Sequence, residues 1–209
     1  MTGKPTTDRR ALHGMIFDLD GTLVDSGLDF EAMRRDMGLP VGMPILESLD
    51  RIPPGCEKEQ MLEVLRQHEL TGAARATLYD GVHEFLGWLD QRGICRAVLT
   101  RNSRESTRIV LDRLGLHFEL ALTREDAPPK PDPTGLLTIC RAWQLQPAHV
   151  LFCGDYAFDL EAGSRAGTRT MLFAPCELPE FARQADHILR SFHDAATLIE
   201  QHFVTARPS

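Results

Sequence analysis

The stretch from Met15 to Ser26 reads Met-Ile-Phe-Asp-Leu-Asp-Gly-Thr-Leu-Val-Asp-Ser, and it constrains the fold more than any other part of the chain. Met15-Ile16-Phe17 is an apolar run, which predicts a short buried strand. Side chains on a strand alternate faces, so Asp18 and Asp20 are expected to emerge on one side where the run stops. Two neighbouring carboxylates repel unless a positive group lies between them or one keeps its proton. A hard cation that favours carboxylate oxygens and water, such as Mg²⁺, resolves that repulsion. Gly21 lets the chain turn sharply after the acids without a Cβ penalty. The competing reading is an acidic turn, since Asp and Gly are ordinary turn residues.

The pattern then changes to helix. Phe30, Met33 and Met37 recur at spacings of three and four, as do Met61, Leu62, Leu65 and Leu70. The segment from Gly38 to Pro44 and the Ile52-Pro-Pro-Gly55 turn divide this region into short helices. After Leu78 the rhythm becomes helix and strand in alternation. Asp80 is a plausible N-cap for a helix that carries Phe85, Leu86 and Leu89, and Pro133 suits the first turn of another that runs to Trp143. Further helices are expected over 103–114 and 194–202. Strands are expected at Ile94–Leu99, Leu120–Thr123, Val150–Cys153, Thr170–Phe173 and, at an edge, His187–Leu189. Alternation of this kind predicts an α/β, Rossmann-like parallel sheet covered on both faces. The division follows: a core from 1–26 and 80–209, with a small α-helical domain inserted at 27–79.

In such sheets ligands bind beyond the carboxyl ends of the strands. The polar residues placed there are Asp18 and Asp20, then Thr100, Arg101 and Asn102, then Asp155. Lys130 lies in Ala127-Pro-Pro-Lys-Pro-Asp-Pro133, where prolines stiffen the backbone. It is one of three lysines in the chain, with Lys4 and Lys58. Asp159 falls in the first turn of the helix after Asp155, where the helix dipole favours an acid whether or not it has a further role.

Asp18-Leu-Asp-Gly-Thr-Leu-Val-Asp-Ser26, Thr100-x-Asn102, Lys130-Pro and Gly154-Asp155-x-x-x-Asp159, in that order, resemble the four motifs of the haloacid dehalogenase superfamily. The likeness runs from His13 to about Phe173 and is greatest to the branch that contains phosphoglycolate phosphatases. The resemblance implies that Asp18 is the nucleophile and Asp20 the general acid and base. It implies that Thr100 and Asn102 hold phosphoryl oxygens with Lys130, and that Asp155 binds Mg²⁺ together with Asp18 and the Asp20 carbonyl. Gly21, Thr22 and Asp159 support the site, and the helical insertion is the cap that selects the substrate. Tyr156 departs from the pattern, since many relatives carry a small residue there. Other reactions belong to the same fold. A dehalogenase needs neither the acid Asp20 nor the metal-binding Asp155, and a phosphonatase needs a cap lysine, for which Lys58 is the candidate. A sugar-phosphate mutase and a non-catalytic phosphate-binding relative keep the same residues. A phospho-acceptor signalling domain would lack the helical insertion.

Composition narrows the partners. With 209 residues, 43% of them hydrophobic and 25% charged, the chain reads as an ordinary globular protein. A formal net charge of −7 argues against nucleic acid or an anionic membrane as partner. No stretch approaches the roughly 20 apolar residues of a membrane span. The five cysteines are scattered and form no metal-ligand spacing, and the first thirteen residues lack the apolar core of a secretory signal, so a cytoplasmic protein is expected, as monomer or homodimer. Between residues 27 and 78 the cations nearest the first motif are Arg34 and Arg35, which are therefore the candidate substrate contacts of the cap. A short, basic cap whose only aromatics are Phe30 and, at its border, Tyr79 suits a small phosphorylated acid or sugar better than a nucleotide.

Overall fold

A computed structural model describes residues 10–205, and what was expected of residues 1–9, Lys4 included, lies outside it. The chain begins with β1 (Arg10–Ala11) and β2 (Gly14–Phe17), followed by β3 (Val24–Asp25). Three helices come next, α1 (Phe30–Asp36), α2 (Ile45–Arg51) and α3 (Cys56–Arg75), closed by β4 (Thr77–Leu78). The remainder runs α4 (Val82–Gln91), β5 (Cys95–Leu99), α5 (Arg104–Arg113), β6 (Leu120–Leu122), α6 (Thr134–Ala142) and β7 (Val150–Gly154). It ends with α7 (Ala157–Ala166), β8 (Arg169–Phe173), β9 (His187–Leu189), α8 (Ala195–His202) and β10 (Phe203–Val204).

Six strands form one parallel sheet in the order β6-β5-β2-β7-β8-β9, the α/β arrangement read from the sequence, with β9 at an edge. Alternation sorts the residues of β2 between two cores. Met15 and Phe17 join Phe85, Leu89, Val98, Phe173 and Phe192 on one face, and Ile16 joins Leu136, Ile139 and Phe152 on the other. The chain moves outward from β2 through β5 to β6, then returns to the other flank of β2 as β7. That reversal opens a crevice at the carboxyl ends of the central strands.

Residues 24–78 depart from the sheet and return to it side by side. β3 and β4 pair antiparallel over two residues, Val24 with Leu78 and Asp25 with Thr77. Between them α1, α2 and α3 enclose a core of their own, built from Met33, Met37, Ile45, Leu49, Met61 and Leu65. Three residues of the expected apolar stripe are not in it: Leu70 is half-buried, and Phe30 is 53% and Leu62 41% exposed. Phe30 and Leu62 lie off the face that the neighbouring Met33 and Met61 turn inward. Helix starts also differ from expectation. Gly81, at a φ of 85°, and not Asp80, caps α4. Pro133 is the residue before α6 and so lies one position outside the first turn.

Among the described residues, three ion pairs join the helical insertion to the sheet portion: Arg66 with Glu105, Glu47 with Arg101, and Glu69 with Arg124. Glu69 is buried on the inner face of α3 and also accepts from the Ser103 backbone N–H at 3.4 Å. Removing one partner of a buried pair leaves the other charge uncompensated. Glu69→Ala is therefore expected to lower stability by about 2–4 kcal/mol. Urea denaturation measures it, and a loss under about 0.5 kcal/mol would place this pair with ordinary surface contacts.

Candidate active site

Asp18 follows β2 directly, and its N–H donates to the Cys153 carbonyl of β7 at 2.8 Å, continuing the ladder by one residue. Asp155 follows β7, so the two acids leave adjacent parallel strands at the same end. Lys130, 3% exposed, reaches between the strands from its proline-rich loop. Its Nζ lies 2.6 Å from Asp18 Oδ1 and 2.6 Å from Asp159 Oδ1. Asp159 also accepts from the Tyr156 N–H through Oδ2 at 2.9 Å. It thus caps α7 with one oxygen and holds the lysine with the other. Carboxylate oxygens of Asp18, Asp155 and Asp159 come within 4.8 Å of one another.

Two glycines make this convergence possible. A Cβ on Gly21, whose φ is +80°, would lie 2.3 Å from Asp155 Oδ2. One on Gly154 would lie 2.3 Å from Asp159 Cγ. Neither approach leaves room for a side chain. Thr22, fully buried, directs its hydroxyl at Asp155 Oδ1 from 3.5 Å, the outer limit of a hydrogen bond.

Asp20 is held differently from what strand alternation predicts. The chain has already left β2, and Asp20 sits in a turn, bridged to Val24. Its carboxyl accepts from the Asn102 side chain and from Ser26, and stands apart from the three clustered acids. The turn that Gly21 allows, not the strand period, aims it. Asp159, read from the sequence as a supporting residue, is the third acid of the cluster.

Burial dominates the electrostatics. It pushes the Asp18 carboxyl up to about 7, against the attraction of Lys130 and with the repulsion of Asp159. Burial, with repulsion from Asp18 and Asp159, pushes Asp155 up to about 8. Asp20 is also raised, chiefly by burial. For Lys130, burial works downward, but Asp159 and Asp18 outweigh it and raise its pKa. Three clustered acids, Asp18 and Asp159 buried and Asp155 half-buried, against one ammonium leave a deficit of positive charge. A hard divalent cation, which takes carboxylate oxygens, fits that donor set.

The other expected contacts divide into two groups. Thr100, buried at the end of β5, accepts from the Asn102 N–H through its hydroxyl at 3.2 Å, so both residues stand at the crevice beside Asp20. Arg101 turns toward the helical insertion: Nη2 donates to both Glu47 carboxylate oxygens, at 2.8 and 2.9 Å, and Nη1 to the Lys130 carbonyl. Arg34 is engaged inside the insertion, by Glu31 at 2.7 Å and the Met43 carbonyl at 2.8 Å, and Arg35 is exposed. No described hydrogen bond or ion pair brings either to the acids. Tyr79 packs on Phe173 of the core, with ring centroids 4.9 Å apart. The aromatic surface near the site is instead Tyr156, 54% exposed, with Phe158 and Phe181 against it. Sequence reasoning missed Phe158 as part of this surface. Phe158 was visible between Asp155 and Asp159, one turn from the cluster, while Phe181 offered no signal.

A family profile described as haloacid dehalogenase-like hydrolase matches residues 15–173. An N-acetylmuramic acid 6-phosphate phosphatase from Pseudomonas putida is 30% identical, over 76% of this chain and 81% of that protein. A phosphoglycolate phosphatase from Aquifex aeolicus is 29% identical, over 91% of this chain and 98% of its own. Among solved structures, a hydrolase from Pseudomonas syringae superimposes with a TM-score of 0.76 at 22% identity, covering 93% of this chain and all of that one.

Proposed function

The chain belongs to the haloacid dehalogenase-like hydrolases, and from that premise we propose that it is a Mg²⁺-dependent phosphatase of a small phosphomonoester. The observation that carries the reading is Lys130 bound between Asp18 and Asp159, with Asp155 alongside, at the carboxyl ends of two adjacent strands. Phosphomonoesters repel anionic nucleophiles, so catalysis rests on positioning and charge neutralisation. Asp18, Asp155 and the Asp20 carbonyl would hold Mg²⁺, with Asp159 beside them. The ion supplies charge neutralisation for the phosphate and the attacking carboxylate together.

The protein's own groups do the rest. Lys130 and the Thr100 hydroxyl hold phosphoryl oxygens, with Asn102 at the edge of the site. Asp18 attacks phosphorus and becomes an aspartyl-phosphate. Asp20, its pKa raised chiefly by burial and its carboxyl oriented by Asn102 and Ser26, gives its proton to the leaving alcohol. The same carboxylate then takes a proton from the water that hydrolyses the intermediate. Lys58, which a phosphonatase would use for a Schiff base, donates to the Ile52 carbonyl at 3.3 Å within the insertion, and this favours the phosphatase.

The helices of residues 27–79 act as the cap in this reading. The two related phosphatases act, by name, on a phosphorylated sugar acid and a phosphorylated hydroxy acid, and a small phosphorylated acid or sugar suits this chain as well. The exposed Tyr156 makes a nucleoside monophosphate the substrate to assay beside them. A monomer or homodimer in the cytoplasm, without nucleic-acid or membrane partners, accords with the acidic charge, and no helix of the described residues is long and apolar enough to cross a membrane.

Hydrolysis of p-nitrophenyl phosphate with and without Mg²⁺ tests the reading. Chelation should stop turnover and Mg²⁺ restore it, and full activity after exhaustive EDTA treatment would overturn it. Asp20→Asn should cost roughly 10²–10⁴-fold. The loss should be greater for an alkyl phosphate than for p-nitrophenyl phosphate, whose leaving group needs little protonation. Equal losses would remove Asp20 from the acid role.

A further inference from the structure

We propose that Glu47 stands on Arg101 in the place of a substrate carboxylate, and that the preferred phosphomonoesters carry a second anionic group that exchanges with it. This rests on the phosphatase reading and adds to it the recognition of the leaving group. Arg101 lies between Thr100 and Asn102, and its guanidinium faces α2 of the insertion. Both Glu47 oxygens accept from Nη2, a charge-assisted contact that a substrate carboxylate could make in its place.

The seat for that carboxylate is built from the core alone. Nη1 of Arg101 donates to the Lys130 carbonyl, and the guanidinium lies 4.8 Å from the Phe158 ring centroid. Both contacts persist when Glu47 leaves, so the arginine keeps its position while its partner changes. Lys130 therefore serves two places at once: its ammonium holds Asp18 and its carbonyl orients Arg101.

Exchange is favoured by where the pair sits. The side chains of Arg101 and Glu47 are 22% and 34% exposed, against 17% and 4% for Arg124 and Glu69, the buried pair that also joins insertion to core. Partly solvated pairs contribute little, so an incoming carboxylate can take over from Glu47. The buried pair on α3 stays intact. Loss of Glu47 from Arg101 frees α2 at the mouth of the site, and a substrate with no second anion leaves Glu47 where it is.

Steady-state kinetics on 2-phosphoglycolate and ethyl phosphate, which differ in the carboxylate, test this with Mg²⁺ present. Glu47→Gln should lower KM for 2-phosphoglycolate roughly two- to fivefold, with kcat little changed and KM for ethyl phosphate within twofold of wild type. Arg101→Gln should raise KM for 2-phosphoglycolate on the order of tenfold or more, and by a larger factor than for ethyl phosphate. A Glu47 variant whose KM moves equally for both esters, or rises for 2-phosphoglycolate, would mark the pair as a simple structural contact and overturn the proposal. If the wild-type protein hydrolyses neither ester, the failure lies with the phosphatase reading. The exchange is then read by calorimetric titration of 2-phosphoglycolate into wild type and Glu47→Gln. Tighter binding to the variant supports it, and equal or weaker binding overturns it.

Discussion

Asp18→Asn is expected to reduce turnover by on the order of 10⁴-fold or more, the scale at which loss of a covalent nucleophile is felt. The amide has the shape of the carboxylate and keeps an oxygen for Lys130, whose second partner Asp159 is untouched. It cannot attack phosphorus. The folded protein should be at least as stable as wild type above pH 7, because the substitution removes a buried group that costs free energy when it ionises. Activity and melting temperature must therefore part company. Turnover within tenfold of wild type would displace Asp18 from the nucleophile's role, and a parallel collapse of stability would leave its role structural.

The second large effect is a dependence of stability on pH in protein freed of divalent cations. Asp18 and Asp155 have folded-state values near 7 and 8, against an ordinary 3.8. Between those limits the folded state binds more protons than the unfolded chain, so stability must fall as pH rises. It is fully present below about pH 4 and lost progressively up to about pH 8. Carrying one carboxyl from 3.8 to 7 corresponds to about 4 kcal/mol, and the two acids repel, so their effects are not additive. Acids with lowered values act oppositely: Asp126 and Asp186 withdraw their contributions as pH drops through the acid range. The metal-free protein should thus melt highest in mildly acidic buffer and lose temperature steadily toward pH 8. Millimolar Mg²⁺ should restore most of the loss at pH 8 and little at pH 5.5. A flat profile from pH 5.5 to 8, or equal stabilisation by Mg²⁺ at both, would contradict the charge balance assigned to the site.

The strands and the acids that follow them were legible because both rest on local pattern. Val150–Gly154 is an apolar run long enough to bury on both faces, and the residue after it had to be polar and at the sheet edge. The same reasoning placed Thr100 and Asp18. What could not be read were contacts between residues far apart in sequence. Nothing in α2 distinguishes Glu47 from the acids around it until Arg101, 54 positions on, is folded against it. Glu69 carries no signal of its own beside Leu70 in the sequence, yet it lies on the buried seam of α3, where Arg124 and the Ser103 N–H donate to it. Strand alternation brought Asp20 to the right neighbourhood for the wrong reason, since a tight turn, not the pleat, directs its carboxyl at Asn102. Gly81 and not Asp80 caps the helix, and position 81 must be glycine because the His193 backbone comes within 2.9 Å of where a Cβ would stand. That neighbour is more than a hundred residues away.

The two-residue ladder between β3 and β4 has an evolutionary consequence. Val24 faces Leu78 and Asp25 faces Thr77, a separation that a two-residue hairpin such as Asn-Gly spans without strain. Everything between is one inserted loop of helices, entered through this doorway and held to the sheet portion by three ion pairs, and the clustered acids, Lys130 and the sheet lie outside it. Mutation can lengthen, shorten or exchange that loop in a single recombination event while the inherited chemistry stays in place. Changes in the insertion can then accumulate separately from changes at the clustered acids, so one can be remodelled while the other is kept.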